Sequence, residues 1–87
     1  MKPYKDIKIE NSFIIREFDE NIDPTELMWH RDAEDRIIQA IDETDWKVQL
    51  DGQLPISMNN QIFIPKGMWH RAIKGTSTLK VKIIKCI

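Results

Sequence analysis

From Trp46 onward the chain alternates apolar and polar residues in short stretches cut by turn residues, a period of two that strands satisfy and helices do not. Trp46, Val48 and Leu50 alternate with Lys47 and Gln49. Asp51-Gly52 then supplies a two-residue turn that tolerates positive φ, and Leu54, Ile56 and Met58 resume the alternation, which predicts a hairpin. Asn59-Asn60 predicts a further turn, because asparagine enters the left-handed region more readily than most residues. Residues 62–64 form a short apolar strand that Pro65 ends, and residues 68–73 and 79–85 read as two more strands around a turn at Gly75. In the last of these Lys80, Lys82 and Lys85 belong to the solvated side, and Leu79, Val81 and Ile83 to the other.

The first half is less regular. Residues 12–18 read as an edge strand. Asp23-Pro24 followed by Glu26 resembles a helix start, with Asp as N-cap, Pro at the first helical position and an acid in the first turn. A helix through this stretch would need its apolar stripe to continue from Leu27 to Ile37, yet the residues between are mostly His, Arg, Asp and Glu. Two strands over 26–32 and 36–42, joined by a charged turn at Ala33–Asp35, fit better, with a short helix as the alternative. The expectation is an all-β chain of about eight strands.

At 87 residues the chain is expected to be one domain, 1–87, with a core of its own. Its 41% apolar and 31% charged residues exclude a disordered chain. The opening MKPYKDIKIENS has no apolar signal core, and no apolar run approaches the roughly 20 residues that span a bilayer. A cytoplasmic protein without a membrane partner is expected. Cys86 is the only cysteine, which excludes an intrachain disulfide and a cysteine zinc cage. The net charge of −1 points to no nucleic-acid partner. All 14 acids lie at or before Asp51, and 6 of the 13 bases follow it. Interleaving of strands from the two halves would mix these charges in space.

The tetrapeptide Met-Trp-His-Arg occurs at residues 28–31 and again at residues 68–71, and the two copies hold both histidines. The second lies in Ile64-Pro-Lys-Gly-Met-Trp-His70, where Pro65 and Gly67 make a tight turn and His70 opens the next strand. This Pro-x-Gly-x-x-His pattern after a short apolar strand resembles the second sequence motif of the cupin superfamily. From Lys74 the likeness extends back through the Asp51-Gly52 hairpin, the apolar strand and the acidic turn to a histidine-bearing segment at Glu26, 49 residues in all. The likeness is to short single-domain cupins, and among them more closely to small cupins carried by some bacteriophages.

The resemblance implies a small double-stranded β-helix, often a homodimer, with a small-molecule pocket inside the barrel mouth. Metal-binding cupins use a His-x-His pair, a later glutamate and the second-motif histidine. Carried over, these give His30 and His70. Asp32 stands at the second histidine; Arg36, or else Asp35 or Glu34, stands at the glutamate; Asn59 and Lys74 replace the motif's opening glycine and final asparagine.

In a strand, residues i and i+2 share a face, so His30 and Asp32 would point together while Trp29 and Arg31 point away. With His70 opposite, two imidazoles and one carboxylate form a set that suits Fe, Mn, Zn or Ni with coordination positions open. The same His-x-Asp plus distal His set occurs in 2-oxoglutarate-dependent oxygenases. Those enzymes need further strands and a basic residue for the cosubstrate, and only 17 residues follow His70 here. Arg36, if it faces the pocket, would either meet an anionic ligand or pair with Asp32. Trp29 and Trp69 are expected at a dimer interface or under the N-terminal strand, and Trp46 in the core. Two functions follow: a metal-dependent cupin acting on a small polar or anionic molecule, or a metal-free ligand-binding or dimeric interaction module.

Overall fold

In the computed structural model, which describes residues 2–86, the strand nearest the C-terminus is the spine of the larger sheet. The eight strands are β1 (Lys5–Ile9), β2 (Phe13–Phe18), β3 (Asp35–Ala40), β4 (Lys47–Leu50), β5 (Ile56–Ser57), β6 (Ile62–Ile64), β7 (His70–Ile73) and β8 (Leu79–Cys86). Leu79, Val81 and Ile83 of β8 are buried while Lys80 and Lys82 are exposed, which is the alternation its sequence carries. β8 pairs on one side with β2, from Phe13↔Ile84 to Phe18↔Leu79, and on the other with β3, from Asp35↔Cys86 to Ala40↔Val81. The five-stranded sheet runs β1-β2-β8-β3-β6, and the second sheet runs β5-β4-β7. All pairs are antiparallel.

The two sheets enclose one core that includes Ile14, Ile38, Val48, Leu50, Ile64 and Val81. Each such side chain contributes roughly 1.5–3 kcal/mol by leaving water. Trp46 is fully buried, as expected, and its indole Nε1 donates to the Ser77 carbonyl at 2.6 Å, so its one polar atom is satisfied. Strands from the two halves interleave: Glu17 of β2 lies opposite Lys80 of β8.

Four local expectations are corrected. The segment 12–18 is not an edge, because β1 pairs outside it through a bulged register between Asp6 and Lys8. Residues 26–32 form no strand. Pro24–Glu26 is a 3-10 turn capped by Asp23, whose Oδ1 accepts from Thr25 N–H at 3.0 Å, and beyond it only His30 makes a β-bridge. The edge of β7 accepts a neighbour only near His70, so the local cap decides the rest of the stretch. Asn59 and Asn60 do not enter the left-handed region, since no residue other than glycine has positive φ among the described residues. Instead the Asn59 side chain accepts from Thr44 N–H at 2.9 Å and donates to Thr44 O at 2.8 Å. Leu54 does not continue the hairpin's inward row: it is 84% exposed, and β5 begins at Ile56.

Candidate metal centre

The two copies of Met-Trp-His-Arg lie antiparallel, side by side. His30 N–H donates to His70 O at 2.9 Å, and His70 N–H donates to His30 O at 2.8 Å. Residues so paired project their side chains to the same side, and the imidazole centroids are 4.2 Å apart, inclined at 60°. The flanking residues project to the other side, where the copies cross: the Arg71 guanidinium lies 4.8 Å from the Trp29 ring, and that of Arg31 lies 5.0 Å from the Trp69 ring. Both indoles are about two-fifths exposed, at 39% and 43%, so neither lies under the N-terminal strand.

Each imidazole is turned by the backbone two residues before it. His70 Nδ1 is 2.8 Å from Met68 O and His30 Nδ1 is 3.2 Å from Met28 O. A carbonyl only accepts, so Nδ1 carries the proton, and in the neutral ring Nε2 keeps a free lone pair. Asp32 Oδ2 is 3.3 Å from His70 Nε2. The distance qualifies as an ion pair, but the alignment is not that of a hydrogen bond, and this buried oxygen has no donor among the described residues. Two acceptor atoms held this close in a buried place call for a proton or a metal cation shared by both. Burial, the strongest influence, holds the His70 pKa below the usual imidazole value; His30 and Arg36 act the same way, against the opposing effects of Met68 O and Asp32. A proton is therefore a poor solution at neutral pH. The ligand atoms of His30, Asp32 and His70 lie within 4.8 Å of one another, close to the span that bonds of about 2 Å to one ion require.

No family model and no curated protein matches the sequence. Solved structures do match over nearly the whole chain. A cupin-2 domain containing protein from Shewanella frigidimarina is 19% identical, covers 93% of this chain and 76% of its own, and has a TM-score of 0.59. KdgF from Halomonas sp. is 16% identical over 97% of this chain and 80% of its own, with a TM-score of 0.60. A cupin domain from Bordetella pertussis is 13% identical over 97% and 92%, with a TM-score of 0.57. The chain has a cupin fold.

The turn at Pro65 and Gly67 forms as its residues require. Gly67 has φ of 77° and Met68 N–H donates to Pro65 O at 3.1 Å. Gly67 N–H donates to Asp32 O at 2.9 Å, which ties the segment bearing His30 and Asp32 to the one bearing His70. Of Glu34, Asp35 and Arg36, only Arg36 lines the barrel cavity. Asp35 Oδ1 accepts from Lys66 N–H at 2.7 Å, and Glu34 accepts from Arg36 Nη2 at 3.0 Å and from its Nε at 3.2 Å. Arg36 Nη1 is 3.4 Å from Asp32 Oδ1. The guanidinium thus holds one oxygen of Asp32 while the other faces His70.

The cupin cavity measures about 390 Å³ and reaches from His30, Asp32 and His70 across an apolar wall that includes Ile38, Val48 and Val81. Tyr4, Arg16 and Phe18 also line it. The sequence assigns these three no role: Arg16 and Phe18 face the cavity because β2 pairs with β8, and Tyr4 joins them through the β1–β2 pairing, which no local signal announces.

Proposed function

We propose that this cupin binds a divalent metal through His30 Nε2, Asp32 Oδ2 and His70 Nε2, and holds a small ligand in the adjoining cavity. The observation that carries the reading is the buried Asp32 Oδ2, which has no hydrogen-bond donor among the described residues and lies 3.3 Å from His70 Nε2. Two imidazoles and a carboxylate suit Fe, Mn, Zn or Ni and leave coordination positions for a ligand atom. Bound there, such an ion supplies Lewis acidity or, if iron or manganese, an oxygen-activating centre. Arg36 holds Asp32 in place beside the ion and is the cationic side chain lining this end of the cavity.

Elemental analysis of protein purified without a histidine tag tests this. About one equivalent of metal per chain is expected, absent in His30→Ala and His70→Ala. Failure to retain metal after adding back Fe, Mn, Ni and Zn would leave the second reading, a metal-free ligand-binding or interaction module. That reading is favoured by one contact: Arg36 already balances one oxygen of Asp32.

A further inference from the structure

Arg16 is the second arginine on the cavity wall, and its surroundings differ from those of Arg36. Asp6 grips it side-on: Nε donates to Oδ1 at 2.7 Å and Nη2 to Oδ2 at 3.3 Å. The Tyr4 ring lies against the guanidinium, 3.7 Å from centroid to Cζ. Arg16 and Tyr4 line the cavity whereas Asp6 does not, so the carboxylate holds the guanidinium from behind. The opposite edge, Nη1 with the second N–H of Nη2, has no protein acceptor among the described residues. That edge is a planar fork matched to a carboxylate. Arg36, by contrast, already faces both Asp32 and Glu34.

Strand register separates the two ends of the chamber. Arg16 lies opposite Val81 and Arg36 opposite Lys85, four residues along β8, or roughly 13 Å at strand rise. The wall between them is apolar and includes Ile38, Val48 and Val81. Glu26, exposed at the rim, is the one other acid besides Asp32 on the lining.

We infer that Arg16, stacked on Tyr4, anchors the carboxylate of an elongated, largely apolar monocarboxylic acid whose other end extends toward His30, Asp32 and His70. The inference rests on the reading of the cavity as a ligand chamber and does not need the metal. A single carboxylate fits because only one free fork faces the chamber, and the apolar wall would leave a second charged group unpaired.

The test is binding of 4-phenylbutyrate against its uncharged isostere 4-phenylbutanamide, by calorimetry and by methyl NMR shifts of Ile38, Val48 and Val81. Metal-stripped protein is used, where Asp32 and Glu34 outweigh Arg36 and the far end cannot take the carboxylate. The acid is expected to bind at least about tenfold more tightly than the amide, with shifts at those three residues. Arg16→Met should abolish the preference. Asp6→Asn combined with Arg16→Met should do the same without leaving an unpaired acid, which separates loss of the anchor from loss of the fold. The preference should persist in the His30→Ala/His70→Ala double variant, so failure of the metal reading leaves this inference standing. Equal affinity for acid and amide, shifts confined to other residues, no binding of either compound, or an unchanged preference in Arg16→Met overturns it.

Discussion

His70 Nε2 and Asp32 Oδ2 stand 3.3 Å apart on the cavity wall with no hydrogen bond between them, and the carboxylate oxygen is buried. An acceptor stripped of water without a donor is held at a free-energy cost of about 1–3 kcal/mol. Asp32→Asn should relieve it, because the amide Nδ2 can donate to His70 Nε2 while its oxygen keeps the contact with Arg36. Metal-free Asp32→Asn is therefore expected to melt at or above the temperature of the metal-free parent and to lose the stabilisation that added metal gives the parent. Thermal melts with and without Mn or Zn measure both. A variant less stable than the parent by more than about 1 kcal/mol would show that the carboxylate is satisfied in a way this geometry does not contain.

The depressed His70 pKa makes stability depend on pH. The folded protein holds this proton less tightly than the unfolded chain, whose imidazole titrates near the ordinary 6.5. Lowering the pH then favours the unfolded state. Its contribution is complete above the unfolded value and is lost as pH falls through the lower folded value. In metal-free protein, urea unfolding between about pH 7.5 and 5.5 should show falling stability. His70→Gln should remove the part of that slope due to this group. An identical slope in the variant would assign it to the carboxylates.

How much of this was legible in the sequence follows from where each signal resides. The hairpins of the second half carry local instructions: Gly52 and Gly67, each with φ near 75°, sit where the dipeptide signals place them, and β8 alternates residue by residue. The gathering of His30, Asp32 and His70 was legible too, although residues 30–32 are not in a regular strand, because one bridge at His30 preserves the two-residue period as far as Asp32. β1 is different. Ile7 and Ile9 are 47% and 66% exposed, so the strand is held by the backbone edge of β2 and by the pairs Lys5–Glu17 and Asp6–Arg16. Those partners acquire meaning only once β2 has been placed, and with β1 unseen neither Tyr4 nor the grip of Asp6 on Arg16 could be read.

The crossed tryptophan–arginine pairs on the outer side of the histidine bridge should contribute measurably but modestly. An exposed cation–π pair is worth about 0.5–1 kcal/mol. A double-mutant cycle on Trp29→Ala and Arg71→Ala should return a coupling in that range. Arg71 also donates through Nε and Nη2 to Gln49 Oε1, at 3.0 and 2.9 Å. The cycle cancels that term because both arms of it lose the same arginine. A coupling near zero would mean that the hydrogen bonds to Gln49 alone set the arginine's position.

Gly75 and Gly52 are required for opposite reasons. At Gly75 the φ angle is ordinary, but an added Cβ would lie against Asp45 Oδ1 and 2.7 Å from Trp46 Cδ1. Neither neighbour can yield easily. Asp45 accepts from Thr76 N–H at 2.9 Å and from Thr76 Oγ1 at 2.7 Å, and Trp46 is fully buried. Gly75→Ala must therefore push apart the junction between the Gly75 turn and the start of β4, an overpacking that costs roughly 1–3 kcal/mol. Gly52 has the opposite character, with φ of 75° and nothing within 4 Å of a Cβ, so Gly52→Ala is charged only for the left-handed backbone, about 1–2 kcal/mol. The two differ in how they respond to asparagine. Gly52→Asn should recover much of the loss seen in Gly52→Ala, because asparagine tolerates this conformation, whereas Gly75→Asn should be worse than Gly75→Ala because a longer side chain deepens the clash. Denaturant midpoints of the four variants decide it: recovery by asparagine at Gly75 would show that backbone conformation, and not the approach of Asp45 and Trp46, is what requires glycine there.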